Sequence, residues 1–214
     1  MDAITSALKN HYASVFAEHG ATARGVDWGA EEDVSLRYDK MLAVLDGDHT
    51  ALGESEKRAV SMLDVGCGYG GLYKHAENRG TTLDYTGIDV VPEMIAHACA
   101  THSSATFECR DVFDVPLTRT FDYVVCNGIL TQKLKASIRE MDEYAQSLIT
   151  RLYSLCRRGA AFNVMTSKVN FTAPNLYYRS PVEMLAFCMS DLTDKIRLDH
   201  SYRLYDYTVY LFRS

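Results

Sequence analysis

A chain of 214 residues with 47% hydrophobic and 23% charged side chains has the makeup of an ordinary globular protein. One domain of that length buries a sizeable core without a disulfide or metal staple, which excludes disorder, collagen-like repeats and a disulfide scaffold. With 22 Lys and Arg against 28 Asp and Glu, the net charge of −6 has the wrong sign for a phosphate backbone as partner.

In chain order, Ile4, Ala7, Leu8, Tyr12, Val15 and Phe16 recur at helical spacing, and Gly20 is a natural stop. An irregular stretch from Ala21 to Asp33 carries the single tryptophan, Trp28. A second helix follows, with Val34, Tyr38, Met41, Leu42 and Leu45 on one face. Gly47 and Gly53, with the polar residues between them, mark a surface turn. From residue 59 short apolar strands alternate with helices. Val60 to Val65 reads as a buried strand, Leu72 to Arg79 as a helix stopped by Gly80, and Asp84 to Val90 as the next strand. Pro92 suits the first turn of the helix through Ile95 and Ala98. Ala105 to Cys109 and Phe121 to Cys126 are two further strands.

Ser137-Ile138-Arg139-Glu140 has the form of a capping box, and an apolar stripe from Ile138 to Leu155 continues the helix until Gly159 ends it. Arg157 and Arg158, after Arg151, then fall at a helix terminus whose carbonyl dipole favours cations. Ala160 to Thr166 is a fifth strand, and Ser180-Pro181-Val182-Glu183 is a second capping box. Lys195 to Tyr202 and Asp206 to Phe212 alternate and are joined tightly, as in a terminal hairpin that adds an antiparallel edge. The pattern predicts an α/β protein, a largely parallel sheet covered by helices on both faces. We read residues 1–214 as one domain: an N-terminal helical segment to 58, a core over 59–166, and an insertion with the hairpin over 167–214.

The six cysteines form no CxxC and stand beside no His pair, so no metal site is expected. No apolar run approaches the roughly 18 residues of a membrane span, and Met1-Asp2-Ala3-Ile4 does not begin a signal peptide. Reduced thiols and a cytoplasmic location are the default expectation.

Leu63-Asp64-Val65-Gly66-Cys67-Gly68-Tyr69-Gly70-Gly71 is the most informative stretch. It falls between a buried strand and a helix, where glycines let the backbone turn sharply and approach a ligand. Asp89 ends the next strand, placed to accept both hydroxyls of a ribose. Asp64 separates two ligand classes. A pyrophosphate brought to this loop would be repelled by its carboxylate, whereas S-adenosyl-L-methionine carries an ammonium and a cationic sulfur. The alternative is that Asp64 only caps the following helix.

These residues resemble the class I S-adenosylmethionine-dependent methyltransferases of small-molecule type. The likeness rests on LDVGCGYGG at 63–71, YTGIDVV at 85–91, CRDVFD at 109–114 and FDYVVCNGIL at 121–130, and extends over roughly residues 30 to 214. It implies a Rossmann-like seven-stranded sheet with the final strand antiparallel. It also implies that Asp64, with the loop of Gly66, Cys67, Gly68, Tyr69 and Gly70, holds the methionine end, and that Asp89 binds the ribose. Asp111 would then accept from the adenine amino group, with Val112 beside it and Val90 against the ring. Cys126, Asn127, Gly128 and Ile129 would close the pocket near the sulfur. The chain lacks the Asn/Asp-Pro-Pro-aromatic motif of nucleobase enzymes, whose flipped base needs an aromatic face. It also lacks the acid cluster of metal-dependent catechol-type enzymes.

Trp28, Arg37 and Tyr38 precede the core. Arg37 could pair with the methionine carboxylate and Trp28 could cover the sulfonium, or the two serve as a solvated helix residue and a packing anchor. Tyr38 is either a pocket residue or core. Asn163, Asn170, Asn175, Tyr177, Tyr178 and Arg179, with His200, Tyr202, Tyr205 and Tyr207, form a candidate substrate lid. The expected reaction is methyl transfer to an oxygen or nitrogen of a small-molecule acceptor, with His200 or Tyr178 as base. The alternatives are a protein or RNA acceptor, a non-catalytic S-adenosylmethionine-binding module, and a dinucleotide or nucleotide-sugar enzyme.

Overall fold

The computed structural model describes residues 3–47, 59–116 and 118–213. The turn expected around Gly53 falls within 48–58, outside the described residues. Two helices, α1 (Ala3–His19) and α2 (Glu31–Leu42), precede the sheet. Then come β1 (Val60–Val65), α3 (Gly71–Asn78), β2 (Leu83–Asp89), α4 (Pro92–Thr101), β3 (Thr106–Cys109) and β4 (Phe121–Cys126). The second half runs α5 (Ile138–Leu155), β5 (Cys156–Thr166), β6 (Tyr178–Arg179), α6 (Pro181–Asp191), β7 (Ile196–Asp199) and β8 (Asp206–Phe212).

The strands are ordered β3-β2-β1-β4-β5-β8-β7, with the short β6 added at the end of β5. β1 to β5 are parallel; β8 runs antiparallel to both β5 and β7. The hairpin therefore joins the sheet by its second arm: β8 is interior, and β7 takes the edge. Strand order reverses between β1 and β4, the place where a doubly wound sheet opens a crevice at its carboxyl ends.

Alternation along the strands feeds two cores. Val124 and Cys126 of β4 face α5, whose Met141, Ala145, Leu148, Ile149 and Leu152 are buried against them. Tyr123 and Val125 face the other way, onto Met41 and Leu42 of α2 and Leu72 and Ala76 of α3. Ile138, expected on the inward stripe of α5, is exposed instead, because the first helical turn begins before the helix reaches the sheet.

Three other expectations change. α5 ends at Leu155, not Gly159: Cys156 is already extended, and Gly159 lies within β5, paired to Tyr123 and Phe212. A Cβ at Gly159 would stand 3.1 Å from the Leu211 carbonyl oxygen, so its glycine serves close strand packing. Arg157 and Arg158 are consequently strand residues. Arg157 donates to Asp122 at 2.9 Å and to Ser61, while Arg158 lies over Tyr123, so neither offers a free basic patch. Both arms of the Ser137–Glu140 capping box form. At α6, Ser180 accepts from the Glu183 amide, but the Glu183 carboxylate pairs with Arg179 at 3.1 Å.

Candidate active site

The carboxyl ends of β1, β2 and β4, with the turn after β3, floor one elongated cavity. Its shape begins with the backbone. Gly66, Gly68 and Gly70 take φ of 76°, 55° and 86°, a left-handed region that side chains disfavour. A Cβ at Gly66 would strike Ile129 at 2.8 Å, and one at Gly71 would collide with the Tyr38 hydroxyl. The Gly66 and Cys67 amides both donate to the Ile88 carbonyl, which turns the loop over the end of β2.

Two carboxylates stand at neighbouring strand ends. Asp64 is almost wholly buried and accepts from the Tyr85 hydroxyl at 2.5 Å. Burial pushes its pKa up to about 7, against the pull of that hydrogen bond. Asp89 accepts from the Gly68 and Val91 amides, both at 2.9 Å, and burial raises it too. Asp111 caps the short turn Val112–Asp114 by accepting from the Phe113 amide at 3.1 Å.

The roof comes from the N-terminal segment. Thr5, Leu8 and Tyr12 of α1, then Val26, Trp28 and Tyr38, close over the glycine loop. Burial, then the charges of Asp27 and Asp89, push the Tyr12 hydroxyl well above its ordinary value, so it stays protonated. Asp27 ties the roof down. His11 Nε2 lies 3.0 Å from its carboxylate, and Gln132 Nε2 donates to it at 2.5 Å. Gln132 in turn accepts from Asn175 at 2.9 Å, which brings the segment after β5 into the same clasp.

Of the residues read from the sequence, Asp64, Gly66, Cys67, Gly68, Tyr69, Asp89, Val90, Asp111, Val112, Asn127, Gly128, Trp28 and Tyr38 line the cavity. Gly70 is not among the lining residues; a Cβ there would strike His102 at 2.7 Å and Phe107 at 3.1 Å. Cys126 points into the core beneath, where burial raises its thiol. Arg37 does not open onto the cavity. Its Nε donates to Asp206 at 2.6 Å and its guanidinium lies 5.2 Å over Trp28. The structure also separates His200 and Tyr178 from the cavity. His200 lines a surface recess beside Arg197 and packs edge-on to Tyr207, because the hairpin turns it to the β7 side. The Tyr178 hydroxyl accepts from the Ala173 amide and pins its own insertion.

Sequence reasoning missed Thr5, Leu8, Tyr12, Met94, Tyr144 and Leu148 as cavity residues, while Ile129 lines the cavity as expected. Helical spacing marked Leu8, Tyr12 and Leu148 as inward-facing, but an apolar stripe reads the same whether it packs on a sheet or roofs a ligand.

A crevice at the strand reversal, a glycine turn and acids at successive strand ends define a Rossmann-like site for an adenosine-bearing ligand. Residues 62–148 match the family model described as a methyltransferase domain. Rv1506c of Mycobacterium tuberculosis (strain ATCC 25618 / H37Rv), provisionally designated a methyltransferase, is 34% identical over 154 residues, covering 70% of this chain and 90% of that protein. The malonyl-[acyl-carrier protein] O-methyltransferase of Acetivibrio thermocellus is 36% identical over 74 residues, 34% of this chain and 26% of that enzyme. In fold, the magnesium protoporphyrin IX methyltransferase of Synechocystis PCC 6803, solved with bound S-adenosylmethionine, superposes with a TM-score of 0.67. That likeness has 16% identity and covers 100% of this chain and 99% of that one. The chain belongs to the class I S-adenosylmethionine-dependent methyltransferases.

Proposed function

We propose that this enzyme transfers a methyl group to a hydroxyl or amine of a small, largely apolar molecule. The observation that supports a small acceptor is the roof. The cavity is covered by α1, Trp28 and Tyr38 and walled by Tyr144 and Leu148 of α5, so a nucleophile must enter an apolar enclosure. A protein or RNA acceptor would call for an open mouth with a basic rim. Arg110, which lines the cavity, is instead paired with Glu108, and Arg37 with Asp206.

The site residues fit S-adenosylmethionine on grounds of donor chemistry. Asp89 presents a carboxylate to a ribose diol, Val90 and Val112 an apolar edge to an adenine, and Asp111 an acceptor to its amino group. Asp64 supplies negative charge near the glycine turn that suits a cationic methionine end and would repel a pyrophosphate. When bound, the cofactor supplies an electrophilic methyl carbon on a cationic sulfur. The chain's own work is to exclude water and to hold the nucleophile about 3–3.5 Å from that carbon and on axis. Among the described residues that line the cavity, the carboxylates are Asp64, Asp89 and Asp111. The described N-terminal residues, 3–47, would serve as the lid. Six free thiols accord with a reducing, cytoplasmic setting.

Titration calorimetry with S-adenosylmethionine, S-adenosylhomocysteine and NAD tests this reading. Micromolar binding of the first two without the third is expected, and Asp89→Ala should remove it. Binding of NAD alone would overturn the reading.

A further inference from the structure

Asn127 is a buried polar side chain that no described residue pairs with. It follows β4, is only 8% exposed, lines the cavity, and neither its Oδ1 nor its Nδ2 has a hydrogen-bond partner. Burying both ends of an amide unpaired is costly, and a ligand that pairs them would remove that cost. Sheet order shows which ligand. Asp89 ends β2 and Asp111 follows β3, on one side of β1, while Asn127 lies across β1 on the β4 side. A cofactor held by the two acids would have its adenosine on that first side and its methionine end at the glycine turn after β1, leaving Asn127 beside the reacting methyl group.

The turn that carries Asn127 is held by a closed ring of contacts. The Gly128 amide donates to Asn163 Oδ1 at 2.8 Å, and Asn163 Nδ2 donates to Asp206 Oδ2 at 3.3 Å. Arg37 Nε donates to the same Asp206 oxygen at 2.6 Å, and Arg37 lies over Trp28. Trp28 returns to the start, since a Cβ on Gly128 would meet its ring at 2.9 Å. Asn163 and Asp206 are buried, on β5 and β8, and neither lines the cavity. Such buried polar networks specify one geometry only when every member is satisfied, as here.

We infer that Asn127 binds the nucleophilic group of the methyl acceptor, and that Asn163, Asp206 and Arg37 are positioning residues that fix its turn. The inference rests on the methyltransferase reading above. It also narrows the substrate. A free carbonyl and a free amide NH2 on one side chain are both satisfied by a hydroxyl or a neutral amine, which accepts from one and donates to the other. A carboxylate nucleophile would satisfy Nδ2 and leave Oδ1 facing like charge. The acceptor is thus an alcohol, phenol or amine on an apolar frame.

The test uses the protein loaded with S-adenosylhomocysteine and three probes of one size: 2-naphthol, 2-naphthylamine and 2-naphthoate. Naphthol and naphthylamine should bind better than naphthoate. Asn127→Ala should weaken them about tenfold, the loss of one to two buried hydrogen bonds, while changing S-adenosylhomocysteine affinity less than twofold. Asn163→Asp and Asp206→Asn should each weaken naphthol binding. Each should leave S-adenosylhomocysteine affinity within twofold, because Asn163 and Asp206 do not line the cavity and act only through the turn. Melting temperature, measured in parallel, separates unfolding from mispositioning. Equal loss of S-adenosylhomocysteine and naphthol in Asn127→Ala would make Asn127 a cofactor residue and overturn the inference. So would naphthoate binding as well as naphthol, no probe binding, or unchanged naphthol binding in both Asn163→Asp and Asp206→Asn. If S-adenosylhomocysteine itself fails to bind the unaltered protein, the functional reading falls first and this inference with it.

Discussion

Asp64 and Asp89 stand at adjacent strand ends of one sheet, yet their surroundings differ. Asp89 is held by two backbone amides of the glycine turn and its successor, whereas Asp64 has one phenol and an almost dry environment. Burial therefore raises Asp64 to about 7, so it is half protonated at neutral pH in the free protein. The sign of the linkage follows. The folded state holds a proton that the unfolded chain, with a carboxyl near 3.9, has already lost, so this group makes stability fall as pH rises from about 4 to about 7. Asp64→Asn, neutral throughout, should flatten that part of the urea-denaturation profile; an unchanged slope would mean that Asp64 is ionised in the folded protein. The same change should remove the proton released when a cationic ligand arrives, which calorimetry in buffers of different ionisation enthalpy would detect.

Among the elements, α5 shows how local chemistry and packing divide the work. Ser137 and Glu140 close a complete capping box, with the Glu140 amide donating to Ser137 Oγ at 3.2 Å and the Ser137 amide to the carboxylate at 2.8 Å. Ser137→Ala should cost about 1 kcal/mol, read as a lower urea midpoint at unchanged slope. The effect should stay that small because the helix is held chiefly by its buried stripe, from Met141 to Leu155. The start of this helix was legible from four residues. Its end was not: Gly159 looks like a stop, and Cys156 does not, until β8 is known to press against that stretch of β5. The capping box at Ser180 was half legible for a similar reason, since Glu183 had a competing partner in Arg179.

At the scale of the molecule, the terminal strands and the N-terminal helices are joined to each other as well as to the sheet. Lys40 of α2 donates to Asp199 of β7 at 2.8 Å, Arg203 pairs with Asp33, and Arg37 reaches Asp206. With the Asp27 clasp, these ties bring the first and last segments of the chain to the cavity. Opening the roof and binding beneath it then compete. Trypsin cleavage after the exposed Arg24 should slow as S-adenosylhomocysteine saturates the site, up to about 100-fold at a ligand concentration 100 times Kd. Cleavage at an unaltered rate would show that the roof moves independently of the site.

What the sequence determined by itself was the alternation of strand and helix, the glycine turn, the two acids and the cofactor class they select. Each is set by residues near one another in the chain, where periodicity, turn chemistry and charge act directly. Tertiary structure decided the rest. It took Arg37 from a ligand's carboxylate to Asp206, turned His200 away to the β7 side, and made Tyr12 a roof residue. It also left the Asn127 amide unpaired in the cavity. Those outcomes depend on which distant strands become neighbours, above all on β8 inserting between β5 and β7. A long-range pairing of that kind fixes where a side chain points without leaving a local pattern in the sequence.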